Sequence, residues 1–264
     1  MKSPRSLPCV LSIGGLDPGG GAGLLADARA AHAAGAFACG VAAVLTLQST
    51  DGLVATHNVK AALVASQARI VLKAQRVRAI KIGALGSLAN VRAVAAIAAA
   101  NLDLPLVLDP VLMPSRGRGR LLAAGATRAL CTHLIPRATL VTANAPEAAA
   151  LLGMRVDSLP AAHEAARALL KLGAKAVLIK GGHLTGRDAV DVLAIAGDEA
   201  IELRSRRLTL GPMHGGGCTL ASLIAGRLAT GASLIEAVRW SKEAHYAALG
   251  AAFDVGGGAR VLSP

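Results

Sequence analysis

The feature that most constrains this chain is a recurring unit, a short apolar run that ends on glycine or a polar residue and is followed by a stretch with helical spacing. Residues 8–13 run into Gly14 and Gly15, residues 79–83 end in glycine, residues 104–108 end in Asp109-Pro110, residues 139–142 lead to Asn144, and residues 176–180 run into Gly181. Runs that are apolar on both faces belong to strands covered on both sides, which is the habit of parallel sheets with crossover helices. Helical spacing is expected over residues 24–34, 59–74, 87–100 with Ser87 as N-cap, near 121–130, and over 161–172, 218–229 and 233–252. Residues 39–47 read as a further strand, and residues 191–195 and 201–203 as a hairpin through Gly197-Asp198. Six or more strands alternating with helices imply an α/β fold with a mostly parallel central sheet wrapped on both faces.

With 264 residues, 53% of them hydrophobic, the chain can bury a large core, and no linker-like composition interrupts it, so residues 1–264 are expected to form a single domain. The net charge of +12 raises the question of a nucleic-acid partner. Only 2% of residues are aromatic and the charges are dispersed, so bases would find no stacking surface. The short groups Arg116, Arg118, Arg120 and Arg204, Arg206, Arg207 fit solvated faces or polyphosphate contacts better than a nucleic-acid groove. Cysteines at 9, 39, 131 and 218 form no C-x-x-C pair, which argues against a zinc site and a disulfide framework and fits a reducing cytoplasm. The apolar run at 7–13 is too short for a signal sequence. The uncharged stretch 30–50 is interrupted by His32, Gly35, Gly40, Thr46 and Gln48, so no membrane span is expected.

Two glycine-rich turns stand out. Residues 14–23 contain Gly21-Ala22-Gly23-Leu24-Leu25-Ala26, a formal dinucleotide fingerprint, but the turn is too long for that corner and no acid closes the next strand. The other is His214-Gly215-Gly216-Gly217-Cys218, running into a helix. Glycines that accept φ > 0 and a helix start expose several N–H donors to one point, which makes a phosphate cradle. Cys218 falls in the first turn, where the helix field is expected to lower a thiol's pKa. Asp109, at the carboxyl end of a strand, lies where open α/β sheets bind ligands. Pro146 and Glu147 fit the first turn of a helix capped at Asn144.

These residues carry a family likeness. Gly15-Leu16-Asp17-Pro18-Gly19-Gly20-Gly21-Ala22-Gly23, Ala26-Asp27, Thr46-Leu47-Gln48-Ser49-Thr50, Lys81-Ile82-Gly83-Ala84-Leu85-Gly86, Asp109-Pro110-Val111, Asn144-Ala145-Pro146-Glu147, Lys180-Gly181-Gly182-His183 and the stretch from His214 to Ser222 stand in one order over nearly the whole chain. In this the sequence resembles the hydroxymethylpyrimidine/phosphomethylpyrimidine kinases of thiamine biosynthesis, within the ribokinase-like superfamily. The resemblance implies a three-layer αβα fold, ATP and Mg²⁺ as cofactors, a small aminopyrimidine as substrate and a homodimer. It implies that Asp27 and Gln48 hydrogen-bond the pyrimidine with Gly15 near its hydroxymethyl arm. Asp109 and Glu147 would serve Mg²⁺, Asn144, Lys180 and His214 the nucleotide, and Gly215, Gly216, Gly217 and Cys218 the transferring phosphoryl group.

Several positions depart from that pattern. Leu16 and Gly19 replace serines, Gly216 a threonine, Ala84 a methionine and Ala143 a proline, and Ser115-Arg116-Gly117-Arg118 stands where Lys-Ser-Gly-Asp is usual. Pyridoxal kinase of the same branch, and a non-catalytic pyrimidine-binding regulatory homologue, are the alternative functions.

Overall fold

A computed structural model describes residues 6–264. Its strands are β1 (Cys9–Leu16), β2 (Phe37–Ser49), β3 (Gly52–Asn58), β4 (Val77–Ile82), β5 (Leu106–Leu108), β6 (Leu140–Asn144), β7 (Ala176–Lys180), β8 (Asp188–Ile195) and β9 (Ile201–Arg206), which make one sheet in the order β3-β2-β1-β4-β5-β6-β7-β8-β9. The six strands from β2 to β7 pair in parallel, and the sheet is finished by antiparallel edges, β3 on one side and the β8–β9 pair on the other. A short parallel pair, β10 (Met213–His214) with β11 (Arg260–Val261), lies outside it.

Side chains alternate across the sheet as the two-residue period of a strand requires. Leu11, Ile80, Ile82, Leu108, Val141 and Val177 point into a core shared with α2 (Ala61–Ala74), α3 (Leu88–Ala99), α5 (Ala145–Leu152) and α6 (Leu159–Lys171). Val10, Ala79, Val107, Leu140 and Leu178 point the other way, onto α1 (Gly23–Ala33), α7 (Gly216–Ala229) and α8 (Leu234–Gly250). Three layers result, as the sequence leads one to expect. With few aromatics, the packing relies on close approach: a Cβ on Gly226 of α7 would fall 2.5 Å from Ala34 Cβ and 3.4 Å from Ala31 Cα. No helix among the described residues is long and apolar enough to cross a membrane.

Two stretches differ from the sequence expectation. The helix expected near 121–130 is a series of short turns, a 3₁₀ turn at Ala124–Ala126, the single α turn α4 (Thr127–Ala129), a π turn at Leu130–Leu134 and a 3₁₀ turn at Ile135–Arg137. Pro136 has no N–H to continue an α ladder, and the widened turn just before it absorbs the mismatch. The second is β3, which the apolar pattern does not announce because Val54 and Thr56 are not buried. Asp51-Gly52 between two apolar runs is its readable sign.

Candidate active site

The chain goes from β1 to β2 on one side and returns to β4 on the other, so the crevice at the carboxyl ends of these strands is a switch point of the sheet. A cavity of about 610 Å³ opens there, lined by the ends of β1, β4, β5, β6 and β7 and the first turn of α7. Every residue expected in the site from the sequence lines it: Gly15, Asp27, Gln48, Asp109, Asn144, Glu147, Lys180, His214, Gly215, Gly216, Gly217 and Cys218.

At one end Lys180, from the tip of β7, lies between two carboxylates. Its Nζ is 3.0 Å from Asp109 Oδ1 and 3.6 Å from Glu147 Oε2. Asp109 Oδ1 also accepts from Thr142 Oγ1 at 3.3 Å, and no hydrogen bond among the described residues uses Asp109 Oδ2 or Glu147 Oε1. Burial pushes the Glu147 carboxyl up, against the pull of Lys180; the two carboxylates hold the Lys180 ammonium above its ordinary value although burial alone would lower it. Asn144 caps α5 in a reciprocal box, its Oδ1 accepting from Glu147 N at 2.8 Å while Glu147 Oε2 accepts from Asn144 N at 2.8 Å. Both residues line the cavity, and the Asn144 side-chain amide nitrogen makes no hydrogen bond among the described residues.

The cradle closes over this end. Gly215 is the N-cap of α7 at φ 80°, and a Cβ there would lie 1.8 Å from the carbonyl oxygen of Gly21, so only glycine fits. The positive φ expected of the glycine run is confined to Gly215: Gly216 and Gly217 are already helical. Gly217 is constrained by space instead, since a Cβ on it would be 3.3 Å from Lys180 Nζ. His245 of α8 stands behind the cradle, its Nε2 buried with no hydrogen-bond partner among the described residues and 3.6 Å from a Cβ built on Gly216. Burial lowers its pKa to about 4, so it backs the cradle as a neutral ring.

The expectation of an acidified thiol is overturned. Burial pushes Cys218 up to about 12, helped by the Asp109 and Asp27 carboxylates and opposed by Lys81. Desolvation beside two acids raises the thiol although it sits in the first turn of α7.

At the other end the polar groups are wired to one another. Lys81 is the single charged side chain on β4 that faces α1 and α7; its Nζ donates to Asp27 Oδ1 at 2.8 Å and Oδ2 at 3.0 Å, and Ser222 Oγ donates to Asp27 Oδ1 at 2.7 Å. Asp27, 0% exposed, is the opposite of the solvated helix acid that its type usually supplies. Burial pushes the Asp27 carboxyl up against the pull of Lys81, while the counter-charge of Asp27 holds the Lys81 ammonium above its ordinary value despite burial. Gln48 and His214 meet at 3.0 Å, and His214 Nε2 lies 2.8 Å from Asp17 Oδ2. His214, expected with the nucleotide, thus sits on the Gln48 side of the cavity.

Asp17, Lys81, Ser115 and Ser222 are partners that sequence reasoning left without a role. Lys81 had a readable sign, a lone cation inside the run Ala79-Ile80-Lys81-Ile82, because a charge in a buried strand needs a counter-ion. Ala84, beside Gly15 in the cavity wall, leaves space that a longer side chain would fill.

Comparison with known proteins points to one family. Residues 17–263 match the family model for phosphomethylpyrimidine kinase. The chain is 42% identical over 255 residues to the hydroxymethylpyrimidine/phosphomethylpyrimidine kinase of Streptomyces coelicolor, covering 97% of this chain and 93% of that one. It is 38% identical to a thiamine biosynthesis bifunctional protein of Geobacter sulfurreducens, of which it spans 52%. Among solved structures it is similar to an ADP complex of Bacillus subtilis pyridoxal kinase, with a TM-score of 0.90, 28% identity and coverage of 98% and 97% of the two chains. The phosphomethylpyrimidine kinase of Clostridium difficile gives a TM-score of 0.79 at 32% identity, covering 91% of this chain and 99% of that one.

Proposed function

The chain belongs to the phosphomethylpyrimidine kinase family, and from that premise we propose that it transfers the γ-phosphoryl group of ATP to the hydroxymethyl oxygen of 4-amino-5-hydroxymethyl-2-methylpyrimidine and then to the resulting monophosphate, giving the pyrophosphate used in thiamine biosynthesis. The observation that carries this reading is one cavity with two unlike ends, a glycine cradle with lysine and open carboxylate oxygens at one, and at the other Gln48 on His214 and Asp17, beside the buried Asp27–Lys81 pair.

In this reading the γ-phosphoryl group lies at the N-terminus of α7, where backbone N–H groups and Lys180 stabilise the charge that grows on its oxygens. The acceptor oxygen forms the new P–O bond, the bridging bond to the β-phosphate breaks, ADP leaves, and the hydroxyl proton passes to an oxygen of the transferred phosphoryl group as the new bond forms. A thiol pushed up to about 12 is not ionised at neutral pH, so Cys218 orients the acceptor hydroxyl and does not deprotonate it beforehand. Phosphoryl transfer through a loose transition state demands positioning and charge stabilisation more than a strong base.

Asp109 and Glu147 are the residues that would hold Mg²⁺. Two carboxylates with free oxygens suit a cation that keeps waters and shares its shell with phosphates, and no group of three or more His, Cys, Asp or Glu side chains among the described residues could cage a metal alone. The ion would supply charge neutralisation between phosphate groups. Asn144 would face the same phosphates.

Residues 1–264 would act as one catalytic domain, in the cytoplasm, where four cysteines free of disulfides are at home, and as a homodimer. A coupled ADP-release assay tests the function, with the pyrimidine alcohol and its monophosphate as separate acceptors; turnover of both is expected, and of neither would refute it. A second reading, pyridoxal kinase, is favoured by the likeness to the Bacillus subtilis structure, and pyridoxal and pyridoxine in the same assay distinguish the two.

A further inference from the structure

Three contacts meet on one imidazole at the acceptor end. His214 Nε2 lies 2.8 Å from Asp17 Oδ2 and 3.0 Å from the amide atom of Gln48 placed as Nε2, and His214 Nδ1 lies 3.2 Å from Ser115 Oγ. His214 and Asp17 are both buried, at 3% exposure each. Counting protons decides what each partner is. Asp17 accepts from Gly19 N and Ala22 N, both at 2.9 Å, and although burial opposes ionisation, the His214 hydrogen bond and these N–H groups hold its carboxyl below the usual range. A carboxylate only accepts, so the proton between Asp17 and His214 belongs to Nε2.

An Nε2 that carries its proton cannot accept from a second donor. The amide atom of Gln48 beside it must therefore be the carbonyl oxygen, because an amide nitrogen there would set N–H against N–H. Rotation about the last side-chain torsion exchanges the two amide atoms without altering the shape, and hydrogen-bond accounting is what assigns them. Gln48 lines the cavity, and its amino group is then left over for a ligand there.

We propose that Asp17 and His214 are a positioning pair that holds Gln48 with its carbonyl on the imidazole and its NH₂ toward the acceptor, so that Gln48 reads a hydrogen-bond acceptor, an unprotonated ring nitrogen, and not the exocyclic amine. The proposal rests on the reading that this cavity takes an aminopyrimidine, and it specifies which edge of that ring faces Gln48. It also sets the ring-facing role of Gln48 apart from that of Asp27, whose oxygens are engaged by Lys81 and Ser222.

Gln48→Glu is the decisive variant. A glutamate keeps an oxygen for the imidazole but has no N–H for the ring, whereas a Gln48 turned the other way would lose nothing on its ligand side. Steady-state kinetics are compared for the parent pyrimidine and for analogues in which each ring nitrogen in turn is C–H. In the wild type, one of the two replacements should lower kcat/KM by roughly 10- to 100-fold, the cost of stranding a donor. In Gln48→Glu that penalty should fall below about three-fold, carried by KM. His214→Phe, which frees the amide to turn, should reduce it in the same way. A penalty in Gln48→Glu equal to that of the wild type overturns the proposal. Neutron diffraction of the unmodified protein tests it without any turnover: deuterons on the cavity-side amide atom of Gln48 and on His214 Nε2 support it, and deuterons on the imidazole-side atom refute it. If the wild type fails to phosphorylate the parent pyrimidine, the functional reading falls while the neutron result still decides the orientation.

Discussion

The two ends of the cavity are built on opposite plans. At the acceptor end the buried polar groups satisfy one another: Lys81 with Asp27, Asp27 with Ser222, Asp17 with His214, and His214 with Gln48 and Ser115. At the phosphate end Lys180 is shared by two carboxylates whose other oxygens have no partner among the described residues, and the first turn of α7 lines the cavity. A network that is paired except for the Gln48 amino group holds one shape, so it can select a small rigid ring. An open set of charges is completed by the ligand, which suits a polyanion that arrives with its own cation and leaves changed.

Substitutions should break this contrast unequally. Gly215→Ala should do the greatest damage, because the new Cβ meets the Gly21 carbonyl oxygen and forces the cradle open; kcat should fall by at least about 10²- to 10³-fold, the loss expected with oxyanion donors, and a thermal melt should move down with it. Lys180→Met comes next. Leaving Asp109 and Glu147 without their cation should lower kcat/KM for ATP by roughly 10²-fold while calorimetric affinity for the pyrimidine stays within about two-fold. Gln48→Ala should sharpen the contrast from the other side, lowering kcat/KM for the pyrimidine by about 1 to 3 kcal/mol in activation terms and leaving the KM for ATP unchanged. If Lys180→Met and Gln48→Ala each damaged both substrates equally, the division into two ends would be wrong.

What could be read from the sequence follows the same division. The strand ends, the Asn144 cap, Asp109 and the glycine cradle announce themselves, since backbone geometry and helix termini depend on local residue order. The acceptor-end network does not. Asp17 meets His214 across 197 positions and Asp27 meets Ser222 across 195, so only the folded sheet brings them together. Cys218 shows why local reasoning can also mislead: the helix start was legible, but the burial and the acids that raise the thiol come from β5 and α1. In the same way the turns around Pro136 depend on a register that an apolar period alone does not show.

The central claim is that the cradle and its charges, not a thiolate, drive transfer, and the pH dependence of kcat in Cys218→Ser beside the wild type tests it most directly. A thiol raised to about 12 stays protonated from pH 6.5 to 9.5, and serine stays neutral too, so the ADP-release profiles of the two proteins should run parallel across that range, separated by a constant factor below about ten. A wild-type profile that rises through a cysteine-like pKa within that window, and loses this limb in Cys218→Ser, would contradict the account and make the thiol the general base.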